Sequence, residues 1–154
     1  MELGEQEEAD LSAACWHANL IRIDRRKCLL FTHDTTLFSL FVPGVTRPDF
    51  KHFTDLLGQA LFKTMLYFDF TQAQIEHMLD ASREIGVAKT NNRSVLGSMN
   101  DMKYMIEVAV YNSGGLKTTD MDEVRQLINH TIYKAIGYAC PKEKMRGLLG
   151  AIKS

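Results

Sequence analysis

The chain predicts an α+β fold: an N-terminal three-stranded antiparallel meander packed against about five helices. Three observations carry this reading. Strand-like stretches are confined to the first third of the 154 residues and helical periodicities follow, whereas a parallel α/β fold alternates the two. Apolar residues occupy both parities of the strand-like stretches, so both faces of the sheet are covered. A composition of 45% hydrophobic and 24% charged residues with three prolines belongs to a folded chain and excludes disorder and low complexity. The length suits one domain, read as residues 15–154 behind an acidic, disordered N-terminus at 1–14.

The first strand runs from His17 to Ile23, the second from Cys28 to Thr32 and the third from Leu37 to Val42, with polar breaks at Asp24–Lys27 and His33–Thr35. Their β-branched and aromatic content between polar breaks is the signature of a meander. One face is assigned to helices and the other to a further helix, the chain ends or a second subunit. Pro43-Gly44 stops the third strand, and Thr46 as N-cap, Pro48 and Asp49 begin a helix to about Tyr67. Phe50, Phe53, Leu57, Leu61 and Met65 form its buried stripe.

Thr71 and Gln74 make a second capping box, followed by Ile75, Met78, Leu79 and Ile85, with Gly86 as the stop. Val87 to Lys89 is assigned to one short strand. A central helix carries Val95, Met99, Met102, Ile106 and Ala109 inward and ends at Asn112-Ser-Gly-Gly115. Asp120 and Glu123 open the next, with Val124, Leu127, Ile128 and Ile132 inward and Gly137 at its end. Cys140-Pro141 opens a last helix whose Met145, Leu148, Leu149 and Ile152 are apolar.

Several function classes lack their residues. Cys15, Cys28 and Cys140 are odd in number and widely spaced, which argues against a disulfide framework and for a cytoplasmic protein. No apolar run approaches the roughly 18–20 residues of a membrane span. There is no phosphate-binding glycine loop, no G-x-S-x-G elbow and no H-E-x-x-H helix. Without a C-x-x-C or H-x₃₋₅-H pair, no metal is expected, and no cofactor. The formal charge of −1 conceals an asymmetry: residues 1–10 hold five acids and no Lys or Arg, leaving 18 bases against 14 acids elsewhere. The body is therefore mildly basic.

Three places carry candidate chemistry. Asp24-Arg25-Arg26-Lys27 puts three adjacent cations on a hairpin tip, suited to a phosphate backbone. Lys89, Thr90, Asn91, Arg93 and Ser94 stand at a helix start, where N–H groups and the helix dipole favour an anion, although Asn and Ser are also ordinary cap residues. The last two helices around Gly137 have the outline of a helix-turn-helix, with Lys142, Lys144 and Arg146 on the second.

Two blocks, Trp16–Thr32 (WHANLIRIDRRKCLLFT) and Lys89–Asp101 (KTNNRSVLGSMND), resemble a small bacterial family of uncharacterised proteins, a domain of unknown function. The likeness covers about residues 16–150 and implies no activity. Members of that family begin with a further N-terminal segment, so the resemblance implies that it is missing or diverged at the acidic start here. A shorter stretch, Ile128–Glu143, is similar to the end of integrase-core transposases at Asn129, Gly137, Tyr138, Pro141 and Glu143, with Ile132 in place of the usual proline. The chain is too short to supply their catalytic core, and this likeness is read as convergence.

The two cation-bearing segments are also the two that carry the family likeness. The leading expectation is therefore a non-enzymatic binding module whose two cationic segments meet in one recess and hold an anionic partner, nucleic acid first. The alternative is a homodimeric protein-interaction or regulatory module that buries the second sheet face through Phe38 and Phe41. A third reading, an enzyme, needs His17, Asn19, Arg93 and Asn100 in one pocket.

Overall fold

A computed structural model describes residues 15–84 and 92–152. Strands β1 (Trp16–Ile23), β2 (Arg26–His33) and β3 (Ser39–Val42) form an antiparallel sheet in the order β1-β2-β3. Among the described residues six α-helices follow: α1 (Arg47–Lys51), α2 (Phe53–Tyr67), α3 (Gln72–Glu84), α4 (Arg93–Asn112), α5 (Met121–His130) and α6 (Pro141–Leu148). This is the predicted α+β meander. The expectations at residues 1–14 and at Ile85 to Asn91 lie outside the described residues, as does the Phe50 side chain.

The register pairs Arg22 with Lys27 and Ile23 with Arg26, so the turn is shorter than Asp24–Lys27. Only Asp24 and Arg25 turn the chain, both with positive φ, 53° and 66°. That is the backbone of a two-residue turn matching the right-handed twist of the strands. At β3, Leu37 takes φ 61° and lies outside the strand, where it plugs the core from the connecting turn.

Alternation across the sheet separates two interiors. On one face Trp16, Leu29, Phe31, Phe38 and Leu40 pack with Leu57, Leu61 and Met65 of α2, Ile75 and Met78 of α3 and Met145 of α6. On the other, Ile21, Ile23, Cys28, Leu30 and Phe41 pack with Val95, Met99, Met102, Ile106 and Val110 of α4 and Val124 and Ile128 of α5. Both faces are thus covered by helices of the same chain. This corrects the expectation of a second copy on the second face: Phe38 and Phe41 are interior residues of opposite cores, with no open face between them to share.

Local chemistry explains most boundaries. The Thr46 N–H and hydroxyl donate to the Asp49 carboxylate at 2.7 and 2.9 Å, and Thr71 and Gln74 complete a reciprocal box at 3.0 and 3.1 Å. The helix expected from Thr46 to Tyr67 breaks at His52, whose ψ of 44° leaves the helical region. The helix expected to reach Gly137 stops at His130, because Thr131 turns extended (ψ 143°). Tyr133 then bridges Ala139 across a short 3₁₀ turn, with positive φ at Gly137 and Tyr138. The segment between α5 and α6 is therefore a small ordered loop, and the helix-turn-helix outline around Gly137 does not form.

The free edge of β3 is sealed by a side chain. Asn129 of α5, fully buried, accepts from the Ser39 N–H at 2.7 Å and donates to the Ser39 carbonyl at 2.9 Å. Its second amide hydrogen reaches the Arg125 carbonyl at 3.1 Å. The amide acts as one peptide unit of a fourth strand.

Candidate functional site

β1 lies alongside α4 and both run the same way. Asn19 donates to the Met99 sulfur at 3.9 Å, while Asp24 accepts from the Leu116 N–H beyond the end of α4 at 2.8 Å. The hairpin tip therefore stands at the C-terminal end of α4 and Arg93 at the other. Tyr111, which shares a recess with Arg22, is eighteen residues from Arg93, about 27 Å along a helix rising ~1.5 Å per residue. Arg93 and Ser94, the described end of the second cationic segment, therefore stand away from the hairpin tip, while its residues 89–91 lie outside the described residues.

At the Arg93 end two of the helix-start amides are already taken. The Asn92 side chain accepts from the Ser94 and Val95 N–H groups at 3.0 and 3.2 Å, so the first helical amides are occupied by a cap. Arg93 and Ser94 are exposed, and Lys89, Thr90 and Asn91 lie outside the described residues.

The pocket expected from His17, Asn19, Arg93 and Asn100 also separates. Asn100 is exposed, and Met99, one position earlier, meets Asn19 instead. His17 Nε2 lies 2.6 Å from Asp34 Oδ1, while its Nδ1 is buried without a hydrogen-bond partner. A His–Asp pair works as a general base only when the far nitrogen reaches a substrate. Here that nitrogen is buried and, among the described residues, without a partner, so the pair ties β1 to the turn after β2. Burial and then the Asp34 charge push the neighbouring Cys15 thiol up from its ordinary value, the opposite of an activated nucleophile. Among the described residues no three His, Cys, Asp or Glu side chains gather as a metal site, and no helix is long and apolar enough to cross a membrane.

The hairpin end has a different character. Asp24, itself exposed, lays its carboxylate against Gly115: a Cβ there would stand 3.2 Å from Asp24 Oδ2, and φ of 130° suits glycine. Arg25, Arg26 and Lys27 are exposed as well, together with Arg22 directly across from Lys27. Among the described residues none of these four cations forms an ion pair with a carboxylate. The Val45 N–H donates to the Lys27 carbonyl at 2.7 Å, which brings exposed Arg47 to the same end, and exposed Lys117 follows Leu116.

Beside this cluster lies a recess of about 400 Å³ lined by Arg22, Asp24, Glu107, Tyr111 and Gly114-Gly115. Sequence reasoning passed over Arg22, Glu107 and Tyr111. Arg22 was legible as a fourth cation in LIRIDRRK, and Tyr111 as an aromatic off the inward stripe of α4.

No curated protein and no solved structure shows significant similarity to the chain. A family model described as a domain of unknown function (DUF6933) matches residues 1–144 of the 154, and the chain belongs to that family.

Proposed function

We propose that the domain is a non-enzymatic binding module that holds an anionic partner, nucleic acid, on the cations of its β1–β2 hairpin. The observation that carries this reading is the set of four exposed cations on six residues, Arg22 to Lys27, without an ion pair among the described residues, while the carboxylate of the one acid among them accepts from the Leu116 N–H. Two features of that hairpin run against stability. Arg22 and Lys27 face each other across the strands, and like charges directly opposite destabilise a pair by a fraction of a kcal/mol to about 1 kcal/mol. Arg25 occupies a left-handed conformation that asparagine or glycine adopts more readily. A phosphate chain relieves the first and gives the second a purpose.

The protrusion is short, since Ile23 and Cys28 are already buried. It meets backbone phosphates rather than reading base edges in a duplex groove, so binding is salt-dependent and insensitive to duplex sequence. The test is retention of DNA and RNA by the parent and by Arg25→Ala/Arg26→Ala/Lys27→Ala across a salt titration. Loss of three phosphate contacts lowers the slope of log affinity against log salt on duplex DNA by about 2.7. A parent that retains neither nucleic acid at low salt, or a triple variant with the parent's slope, overturns the proposal.

A further inference from the structure

The recess beside the hairpin has a wall that phosphate does not explain. Tyr111 is 85% exposed, an unusual position for a large ring, and Tyr104, two helical turns earlier on α4, is 69% exposed. Glu107 lies between them on the same helix face and, like Asp24, lines the recess. Among the described residues its ion pair is a loose one with Lys103 at 3.9 Å. Two carboxylates against the single arginine of the lining make the recess a poor place for a phosphate. It suits a group that offers a flat apolar face to the ring and N–H donors to the carboxylate, while the negative part of the same molecule rests outside on the hairpin cations.

A nucleobase in a single strand is such a group. Its π-face stacks on an aromatic ring irrespective of sequence, its amino edge donates to a carboxylate, and its flanking phosphates are an atom chain away. A paired base offers neither its face nor its full edge. The volume, about 400 Å³, is at the lower end of small-ligand sites, large enough for one base and too small for a paired stack.

We propose that this recess holds one unpaired base of a single-stranded nucleic acid, stacked on Tyr111 with its amino edge towards Glu107, while the flanking phosphates lie on the Arg22–Lys27 hairpin. The inference rests on the hairpin reading above and names the form of nucleic acid that the same site takes. It also ranks bases: adenine and cytosine carry an exocyclic amino donor and thymine does not, so the carboxylate discriminates among otherwise equivalent single strands.

Fluorescence anisotropy at low salt tests it with oligo-dA, oligo-dC and oligo-dT of about 16 nucleotides, the upper site size of one binding module, with the matching RNA oligomers and with a duplex. The parent is expected to prefer single strands to duplex and dA or dC to dT. Tyr111→Ala weakens single-strand binding about 5- to 150-fold, the range of one lost stacking contact, and leaves duplex binding unchanged, while Tyr111→Phe retains the parent's affinity. Glu107→Gln removes the preference over dT and tightens binding of dT. DNA and RNA arms that agree place recognition on base and phosphate, and a preference for RNA adds a 2′-hydroxyl contact to the same site. If Tyr111→Ala binds single strands like the parent while the triple hairpin variant loses them, this inference falls and the hairpin reading stands. If the parent binds no nucleic acid at all, the hairpin reading falls and takes this one with it.

Discussion

Replacing Asn129 by Ala removes the seal on the sheet edge and leaves two main-chain groups of Ser39 without partners in a fully buried place. Ser39 and Asn129 are both 0% exposed, and the bonds lost run at 2.7 and 2.9 Å. A buried donor or acceptor stripped of its partner costs about 1–3 kcal/mol, so the two together cost about 2–6 kcal/mol. Equilibrium urea unfolding reads this directly. With a slope of about 1–3 kcal/mol per molar urea for a small protein, the midpoint falls by at least about 0.7 M with the slope unchanged. Asn129→Asp separates hydrogen bonding from packing, because it keeps the acceptor for the Ser39 N–H and sets a carboxylate oxygen against the Ser39 carbonyl. It is expected to destabilise at neutral pH by at least as much as Ala. Unfolding free energies for both variants within about 0.5 kcal/mol of the parent, the scatter of an ordinary surface substitution, would refute the account of Asn129 as a strand substitute.

Two further perturbations bear on the hairpin and on α1. Arg25→Gly relieves a left-handed arginine at a cost of about 1–2 kcal/mol in the parent, partly offset by the unfolded freedom of glycine. The melting temperature rises by a few degrees while the salt slope of duplex binding drops by about 0.9; a lower melting temperature contradicts the strain argument. The Thr46 N–H, and after it the Thr46 hydroxyl, hold the Asp49 carboxyl below its ordinary value of 3.8. A lowered folded pKa contributes stability that is fully present above the unfolded value and disappears as pH falls through the folded one. The gap in melting temperature between the parent and Asp49→Ala is therefore constant above about pH 5, a unit clear of the unfolded carboxylate, and narrows steadily through more acid solutions; a gap independent of pH counts against the cap.

Strand alternation made the sheet legible, since apolar residues at both parities in Leu29-Leu30-Phe31 and Leu40-Phe41 require two covered faces, and both are covered. The capping chemistry at Thr46 and Thr71 was equally local and equally readable. What escaped depends on relations between distant segments. An Asp-Arg turn lacks the glycine that marks a two-residue hairpin, so Arg26 and Lys27 passed for turn residues when they are paired strand residues. Nothing local states that β1 and α4 run in the same direction, and that direction places the hairpin tip and Arg93 at opposite ends of the helix. A helical step of about 100° separates Asn100 from Met99, which decides which of the two reaches Asn19. Asn129 is a polar residue within a helix and reads as surface until Ser39 is placed beside it.

The seal on β3 joins positions 90 residues apart, and that spacing has a consequence during synthesis. Chains emerge at about 5–20 residues per second, so roughly 5–18 s pass between the appearance of Ser39 and that of Asn129. The β1–β2 hairpin is able to close within that interval from neighbouring residues alone, as local pairings do in microseconds. Ser39 must wait with its N–H and carbonyl unsatisfied at the strand border, the kind of edge that recruits other chains. The nascent polypeptide is thus most vulnerable to association on the ribosome, before its last two helices arrive.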